Sequence, residues 1–562
     1  MQRSLVGSEM CIRDRKKIIN KLFAGSLLAG MMLVSSCAGD YLDTAPTDST
    51  GATDAVGTTA NAMKALNGIA KIMTTQHSYF GGGFAGENNI MIQYESYPSE
   101  NYNYNYYASG WSPIFNQEFH TRTNSIYDAY AWYYYYTIAG NANTILANID
   151  NAEGTEAERN FVKASALTFR AYAFEKLVHY YCWRWQDSNN GASQGIVLRL
   201  DESTGGQGYA TLAETYAQIY KDLDEAIMLF EQSGMDRNAS QVWMPNINVA
   251  HAIYARAALT KQDYTKALTE AKLARQNYPL MSNAEYHAGF CNPTSEWIFG
   301  SFGSAQENNW YWSYGTQYAC NGYYANAAGA ANGAGSIGRE LINRIPNDDA
   351  RKALFLTEDK FPGYNFNDGS AMDLGYGILG MGDDEKKADA LWEEAAAYCQ
   401  KMAVSGLEAP YQAGYMYLGG QLKFYVFDTP GVSYLPFIRS SEMVLVEAEA
   451  NYFLNDETAA RASLVELNAT SGRNPEYTCD KSGEALWNEI MDYRELELWG
   501  EGFAWSDYKR WNRDIVRHSF AEGGNAHISV AKTIPASGVN KWTWDVPLNE
   551  TDYNDELNLG GK

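Results

Sequence analysis

Basic residues, cysteine and histidine are all scarce in this 562-residue chain. Only 43 Lys and Arg stand against 67 Asp and Glu, for a net charge of −24. A surface this acidic repels phosphate backbones and argues against nucleic acid as a partner. The cysteines (Cys11, Cys37, Cys182, Cys291, Cys320, Cys399, Cys479) are scattered and show no CxxC spacing. Neither a zinc site nor a disulfide framework is expected, and those after Cys37 read as small core residues. His120, His179 and His251 stand isolated, and no HExxH, GxSxG or P-loop motif occurs. No catalytic constellation, metal or cofactor is therefore read from the chain. Beyond the first 36 residues no hydrophobic run approaches the roughly 20 residues that span a bilayer as a helix.

What is present begins with a processed N-terminus. Residues 1–15 fit neither a signal nor a fold and read as a non-native leader. From residue 16, Lys16, Lys17 and Lys21 form a basic region, followed by the short apolar run LFAGSLLAGMMLV and then Val34-Ser35-Ser36-Cys37. This tripartite pattern reads as a signal peptide over 16–36 with a lipobox, so that Cys37 becomes the lipidated first residue. More than one acyl chain there would hold the protein stably on a membrane. Residues 1–36 carry a net charge of +4, and removing them leaves −28. Residues 37–50 read as a lipidated tether, and 51–562 as the body.

The body is patterned for helical hairpins. In 246–279, Ala250, Tyr254, Ala257 and Ala258 share one helical face, and Ala267, Ala271 and Ala274 share the next. Lys261-Gln262-Asp263 forms the turn and Pro279 the stop. Small residues in this register fit a tetratricopeptide (TPR) hairpin, which cannot bury its face alone and calls for stacked copies. A second copy follows at 440–472, with Ala448 and Ala450 on one helix and Ala460, Leu464 and Leu467 on the other. Thr155–Glu158 and Thr211–Glu214 read as capping boxes opening two further helices. Four consecutive rings, Tyr133 to Tyr136, point all round a helix, so most of them are packing. The predicted class is mainly α, a TPR-like scaffold with a loop-rich, irregular face. Residues 81–119 read as loop, and the helical rhythm weakens over about 281–435.

Two stretches carry more aromatic surface than a loop needs. One holds Asn101, Tyr104, Tyr106 and Trp111; the other holds Asn308, Asn309, Trp310, Trp312 and Tyr314. Sugar rings present flat C–H faces edged with hydroxyls, so aromatic platforms rimmed by amides suit them. These nine residues are the candidate ligand-binding set. Glu442, Glu447 and Glu449 could supply paired carboxylates for glycoside hydrolysis, but on repeat helices they read as ion-pair or solvated positions. Arg494, Glu495, Glu501, Asp507, Lys509 and Arg510 read as structural ion pairing.

Six stretches, in order, resemble the SusD/RagB family of nutrient-binding outer-membrane lipoproteins of Bacteroidetes-type bacteria. They are Cys37 with Asp40-Tyr41-Leu42-Asp43 and Pro46, NFVKASALTFRAYAFEKLVHYY, ETYAQIYKDLDEAI, PFIRSSEMVLVEAEANY (436–452), IMDYRELELWGEGFAWSDYKRW (490–511) and VPLNETDYNDELN (546–558). Phe503 and Val546-Pro547-Leu548 depart from the family pattern. The resemblance implies four TPR-like pairs supporting a loop-rich face. It also implies a cell-surface position on the outer membrane, a SusC-like TonB-dependent transporter as partner, and binding of glycan or other oligomeric nutrients without cleavage. Two alternatives stay open from the residues: a peptide-binding or protein-adaptor TPR lipoprotein, and a glycan-cleaving enzyme.

Overall fold

The computed structural model describes residues 56–75, 84–103, 112–303, 319–322, 335–358, 385–410, 418–427, 433–537 and 542–559. Helices dominate them and pack in sequence. Helix α1 (Thr59–Ile72) lies on α2 (Ile126–Asn148) and α3 (Glu156–Tyr181); α3 packs on α4 (Leu212–Ser233), and α4 on α5 (Ile247–Thr260). Helix α5 pairs with α6 (Tyr264–Ala274). Helix α7 (Glu385–Met402) lies apart, in a smaller core with Cys291, Cys320, Leu356 and Tyr425. The stack resumes where α6 packs on α8 (Ser440–Phe453), which pairs with α9 (Glu457–Val465) and contacts α10 (Gly483–Glu497).

The predicted hairpins form for the predicted reason. Ala250, Ala257, Ala258, Ala267, Ala271 and Ala274 are fully buried, and so are Ala448, Ala450, Ala460 and Leu464. The two hairpins also turn by the same device. Gln262 and Asn455 both adopt a left-handed conformation with φ 63°. The next residue, Asp263 or Asp456, accepts from the backbone N–H of Lys266 at 3.3 Å or of Ala459 at 3.0 Å. Such an N-cap contributes about 1 kcal/mol. Both predicted capping boxes are present, at Thr155–Glu158 and Thr211–Glu214.

One stretch departs from expectation. Within the span read as loop, residues 86–96 are helical and buried. Its polar residues mimic a loop, but their partners lie far along the chain. Glu87 accepts from the hydroxyls of Tyr134 and Tyr135 at 3.2 Å each, and Glu95 from Tyr180 at 2.6 Å and from Ser506. Burial drives the pKa values of both carboxyls up, partly offset by Lys176.

Among the described residues strands are few and short. Antiparallel pairs join β1 (Tyr102–Asn103) to β3 (Ser336–Ile337), β2 (Trp297–Gly300) to β4 (Pro436–Arg439), and β5 (Ile515–Val516) to β6 (Thr533–Ile534). Between these strands and the helix stack lies a dry network of charges. Arg439 donates to Glu296 at 2.8 Å, Glu497 at 2.7 Å and Glu501 at 2.7 Å. Arg351 donates to Glu497 at 2.9 Å and Asp349 at 2.6 Å, and Lys423 to Glu501 at 2.7 Å. Burial alone would raise the Glu497 pKa, but Arg439, Arg473, Arg351 and Lys423 together hold it well below the carboxylate range.

The predicted ion pairs also form. Glu442 pairs with Arg256 at 2.6 Å, Glu447 with Arg275 at 2.6 Å, Glu449 with Arg510, and Asp507 with Arg494 at 2.6 Å and Arg510 at 2.7 Å. Lys509 differs: its ammonium donates to the carbonyls of His179 and Cys182. Removing one member of a buried network strands the opposite charges at a cost of about 3–5 kcal/mol. Glu497→Gln is expected to destabilise by about that amount in denaturant unfolding. An unchanged midpoint would show that the three surrounding guanidiniums do not depend on this carboxylate.

Candidate functional site

The fold gathers together residues that flank the aromatic stretches. Residues 104–111 follow β1, 323–334 end at Gly335 just before β3, and 411–417 end at Leu418. Asn103 pairs with Ser336 in the β1–β3 ladder, Ser336 bridges to Gly420, and Phe355 bridges to Gln421. The Tyr102 ring lies stacked on Trp499, 5.1 Å between centroids, and so close to Gly335 that a side chain at 335 would collide with it.

Asn525 locks these roots. Its amide donates to the carbonyls of Ile337 at 2.9 Å and Leu418 at 3.0 Å. Its carbonyl oxygen accepts from the Asn103 amide at 2.6 Å and the Arg339 N–H at 3.0 Å. One buried side chain thus ties together residues at or near β1, β3 and Leu418. No local pattern announced it, because all four partners are remote in sequence.

The second aromatic stretch is rooted beside the first. Residues 304–318 run from Gly303 to Ala319. The Asn321 amide exchanges two bonds of 2.9 Å with the backbone of Val426, and Cys320 N–H donates to Phe424. At the other root, Ser301 bonds Leu435 in both directions, and Phe302 meets Trp243 edge-on at 4.7 Å. Phe302, Tyr434 and Phe427 keep exposed ring surface there, with Phe427 36% exposed. These three are aromatic candidates the sequence reading passed over.

Of the nine candidates read from the sequence, Tyr104, Tyr106, Trp111, Asn308, Asn309, Trp310, Trp312 and Tyr314 lie outside the described residues. Asn101 is described, and it is no rim residue. It is 7% exposed, its side-chain amide donates to Glu495 and more weakly to Tyr508 at 3.4 Å, and its backbone carbonyl accepts from the Trp499 indole at 2.7 Å. The interior uses the donors of Asn101, which is why it is buried. Glu495 likewise leaves the ion-pair cluster assigned to it. Burial, and then the neighbouring Glu100 carboxylate, raise its pKa above the usual range.

Among the described residues no group of His, Cys, Asp and Glu is placed to hold a metal ion, and no helix is long and apolar enough to cross a membrane. Cys182, Cys291, Cys320 and Cys399 are buried free thiols.

Two models of one family match the chain. One, described as starch-binding and associating with the outer membrane, covers residues 40–259; the other, described as the SusD family, covers 295–558. The chain belongs to the SusD/RagB family, whose members are binding proteins and not enzymes. No curated protein sequence matches it. Among solved structures it is similar to a SusD-like carbohydrate binding protein from Bacteroides vulgatus. That protein is 22% identical, with 89% of this chain and 97% of that one covered and a TM-score of 0.68. A SusD superfamily protein from Bacteroides thetaiotaomicron is 20% identical over 89% and 99%, with a TM-score of 0.64. Another from Bacteroides vulgatus is 19% identical over 89% and 98%, with a TM-score of 0.66.

Two outcomes follow for the roots. Asn525→Ala leaves four buried backbone and amide groups short of a partner and is expected to destabilise by about 1–3 kcal/mol, read as a lowered midpoint in thermal unfolding. Glu495, with its folded pKa above its unfolded value of 4.5, binds more protons folded than unfolded. Its contribution to stability is therefore present below that value and lost as the pH rises above it. Between about pH 5 and pH 8, Glu495→Gln should show a smaller fall in melting temperature than the parent; parallel curves would refute the assignment.

Proposed function

We propose that this chain is a cell-surface lipoprotein that captures a glycan or oligosaccharide nutrient and delivers it to a SusC-like TonB-dependent transporter. Cys37 is its lipidated anchor in the outer membrane. The ligand lies across the aromatic residues of 104–111 and 304–318, Trp310 and Trp312 foremost, with amides such as Asn308 and Asn309 at the rim. The chain binds without cleaving. The observation that carries this reading is that residues flanking both stretches are bonded to one segment, 418–426, Asn103 through Asn525 to Leu418 and Cys320 directly to Phe424, in a chain of a family of binding proteins. Stacking against sugar faces needs rings held at fixed separations, and a braced root is what limits their drift.

The test is a panel of soluble polysaccharides and peptides added to the full chain, followed by Trp fluorescence, with reducing ends assayed in the same tubes. One glycan should quench saturably without producing new reducing ends. The Trp310→Ala/Trp312→Ala double variant should bind it at least about tenfold more weakly, equivalent to ~1.4 kcal/mol. Release of reducing ends would make the chain an enzyme. Saturation by peptides alone would make it a peptide carrier.

A further inference from the structure

A cleft of about 420 Å³ lies between α2 and segment 197–204, and Glu550 of α11 (Leu548–Tyr553) also lines it. It shares no residue with the loop roots. Along α2 its floor is a single helical stripe: Trp132, Tyr136, Gly140 and Thr144 follow one another at intervals of four, with Tyr133 alongside. Trp132 is buried beneath, set edge-on to Tyr181 at 5.0 Å, while Tyr133 and Tyr136 reach the surface.

The opposite wall is built and held. The Tyr136 hydroxyl donates to the Val197 carbonyl at 2.8 Å and accepts from the Val197 N–H at 3.0 Å. The buried Asn143 amide donates to the carbonyls of Arg199 at 2.9 Å and Asp201 at 3.1 Å. Asn143 is itself oriented by Arg170, which donates to its oxygen at 3.0 Å and grips Asp222 with bonds of 2.7 and 2.8 Å. Behind the wall, Asn554 exchanges bonds of 3.0 Å with the backbone of Gln207. The cleft is therefore preformed, and its volume falls in the roughly 300–1,000 Å³ range of small-ligand sites.

Gly140 leaves the floor of the cleft open. A glycine inside a helix costs about 1 kcal/mol relative to alanine. Its backbone is not in the left-handed region, and a Cβ added there would meet no atom within 4 Å. Neither backbone conformation nor internal packing requires the missing side chain, yet its absence leaves a hollow in the floor between Tyr136 and Thr144.

The lining names the ligand chemistry. Ring surface from two tyrosines, hydroxyls of Thr144, Ser203 and Thr204, and carboxylates beside one guanidinium match a ring that is flat and apolar on its face and polar at its edge. The charges are Asp201, Glu202 and Glu550 against Arg199, which repels a carboxylate-bearing sugar and attracts an amine. We propose that this cleft is a second saccharide site, independent of the aromatic loops, for a short saccharide of neutral or amine-bearing rings, and that it rejects uronates. This does not rest on the loop reading and can hold or fail separately.

Calorimetry on the full chain with three disaccharides tests it: β-1,4-linked glucosamine, its neutral glucose counterpart, and digalacturonate. The glucosamine disaccharide should bind at one site, at least as tightly as the glucose disaccharide, and digalacturonate most weakly. Gly140→Leu has room for its Cβ and favours the helix, so it should melt no lower than the parent while weakening glucosamine-disaccharide binding at least about tenfold. Glu202→Gln/Glu550→Gln should narrow the gap between glucosamine and galacturonate disaccharides. Trp310→Ala/Trp312→Ala should leave glucosamine-disaccharide binding unchanged. Unaltered binding by Gly140→Leu, tightest binding of digalacturonate, or binding of none of the three would overturn the proposal. Loss of binding only in the Trp310→Ala/Trp312→Ala variant would also overturn it, while supporting capture by the loops.

Discussion

Arg439 sits where the helix stack meets the irregular half of the chain, with its side chain 1% exposed. A guanidinium cannot give up its proton, so it must be met by carboxylates wherever it is buried. Glu296, Glu497 and Glu501 meet it from two parts of the chain, and those carboxylates draw in Arg351, Arg473 and Lys423. No segment of this set can move without stranding a charge. The position of β2, the start of α8, the end of α10 and the strip around Lys423 are thereby fixed together, and that strip carries the loop roots.

The same logic explains what the family-like sequence stretches are for. Arg170, in TFRAYAF, grips Asp222, in YKDLDEA. Arg439, in PFIRSSE, grips Glu497 and Glu501, in ELELWGEG. Four of the six recognisable stretches are complementary halves of buried ion pairs and so speak for the scaffold. They say little about the ligand, which is why a resemblance can identify the fold while leaving the cargo to be measured.

Features set by local spacing were legible: alanines facing each other across a hairpin, threonine three residues before glutamate, a polar residue and aspartate at a turn. Features set by distant partners were not. Glu87 and Glu95 look solvated until Tyr134, Tyr135, Tyr180 and Ser506 are brought to them. Asn101 stands in a run of Asn and Tyr that suggests a wet rim, but Glu495 and Tyr508 claim it from nearly four hundred residues away. Asn525 follows two glycines in what reads as an ordinary turn. The groove on α2 was half visible: four consecutive tyrosines announced rings on every side of a helix, but not that two of them would stay only partly buried beside the wall bearing Asp201.

The clamp at Asn525 has a consequence for how such a chain can change. Its bonds to Ile337, Leu418 and Arg339 reach backbone atoms, and only Asn103 contributes a side chain. The anchor is therefore nearly blind to what the intervening segments are made of. Substitutions, insertions and deletions between those fixed points leave the anchor's bonds untouched, so selection can rewrite those segments without renegotiating the fold.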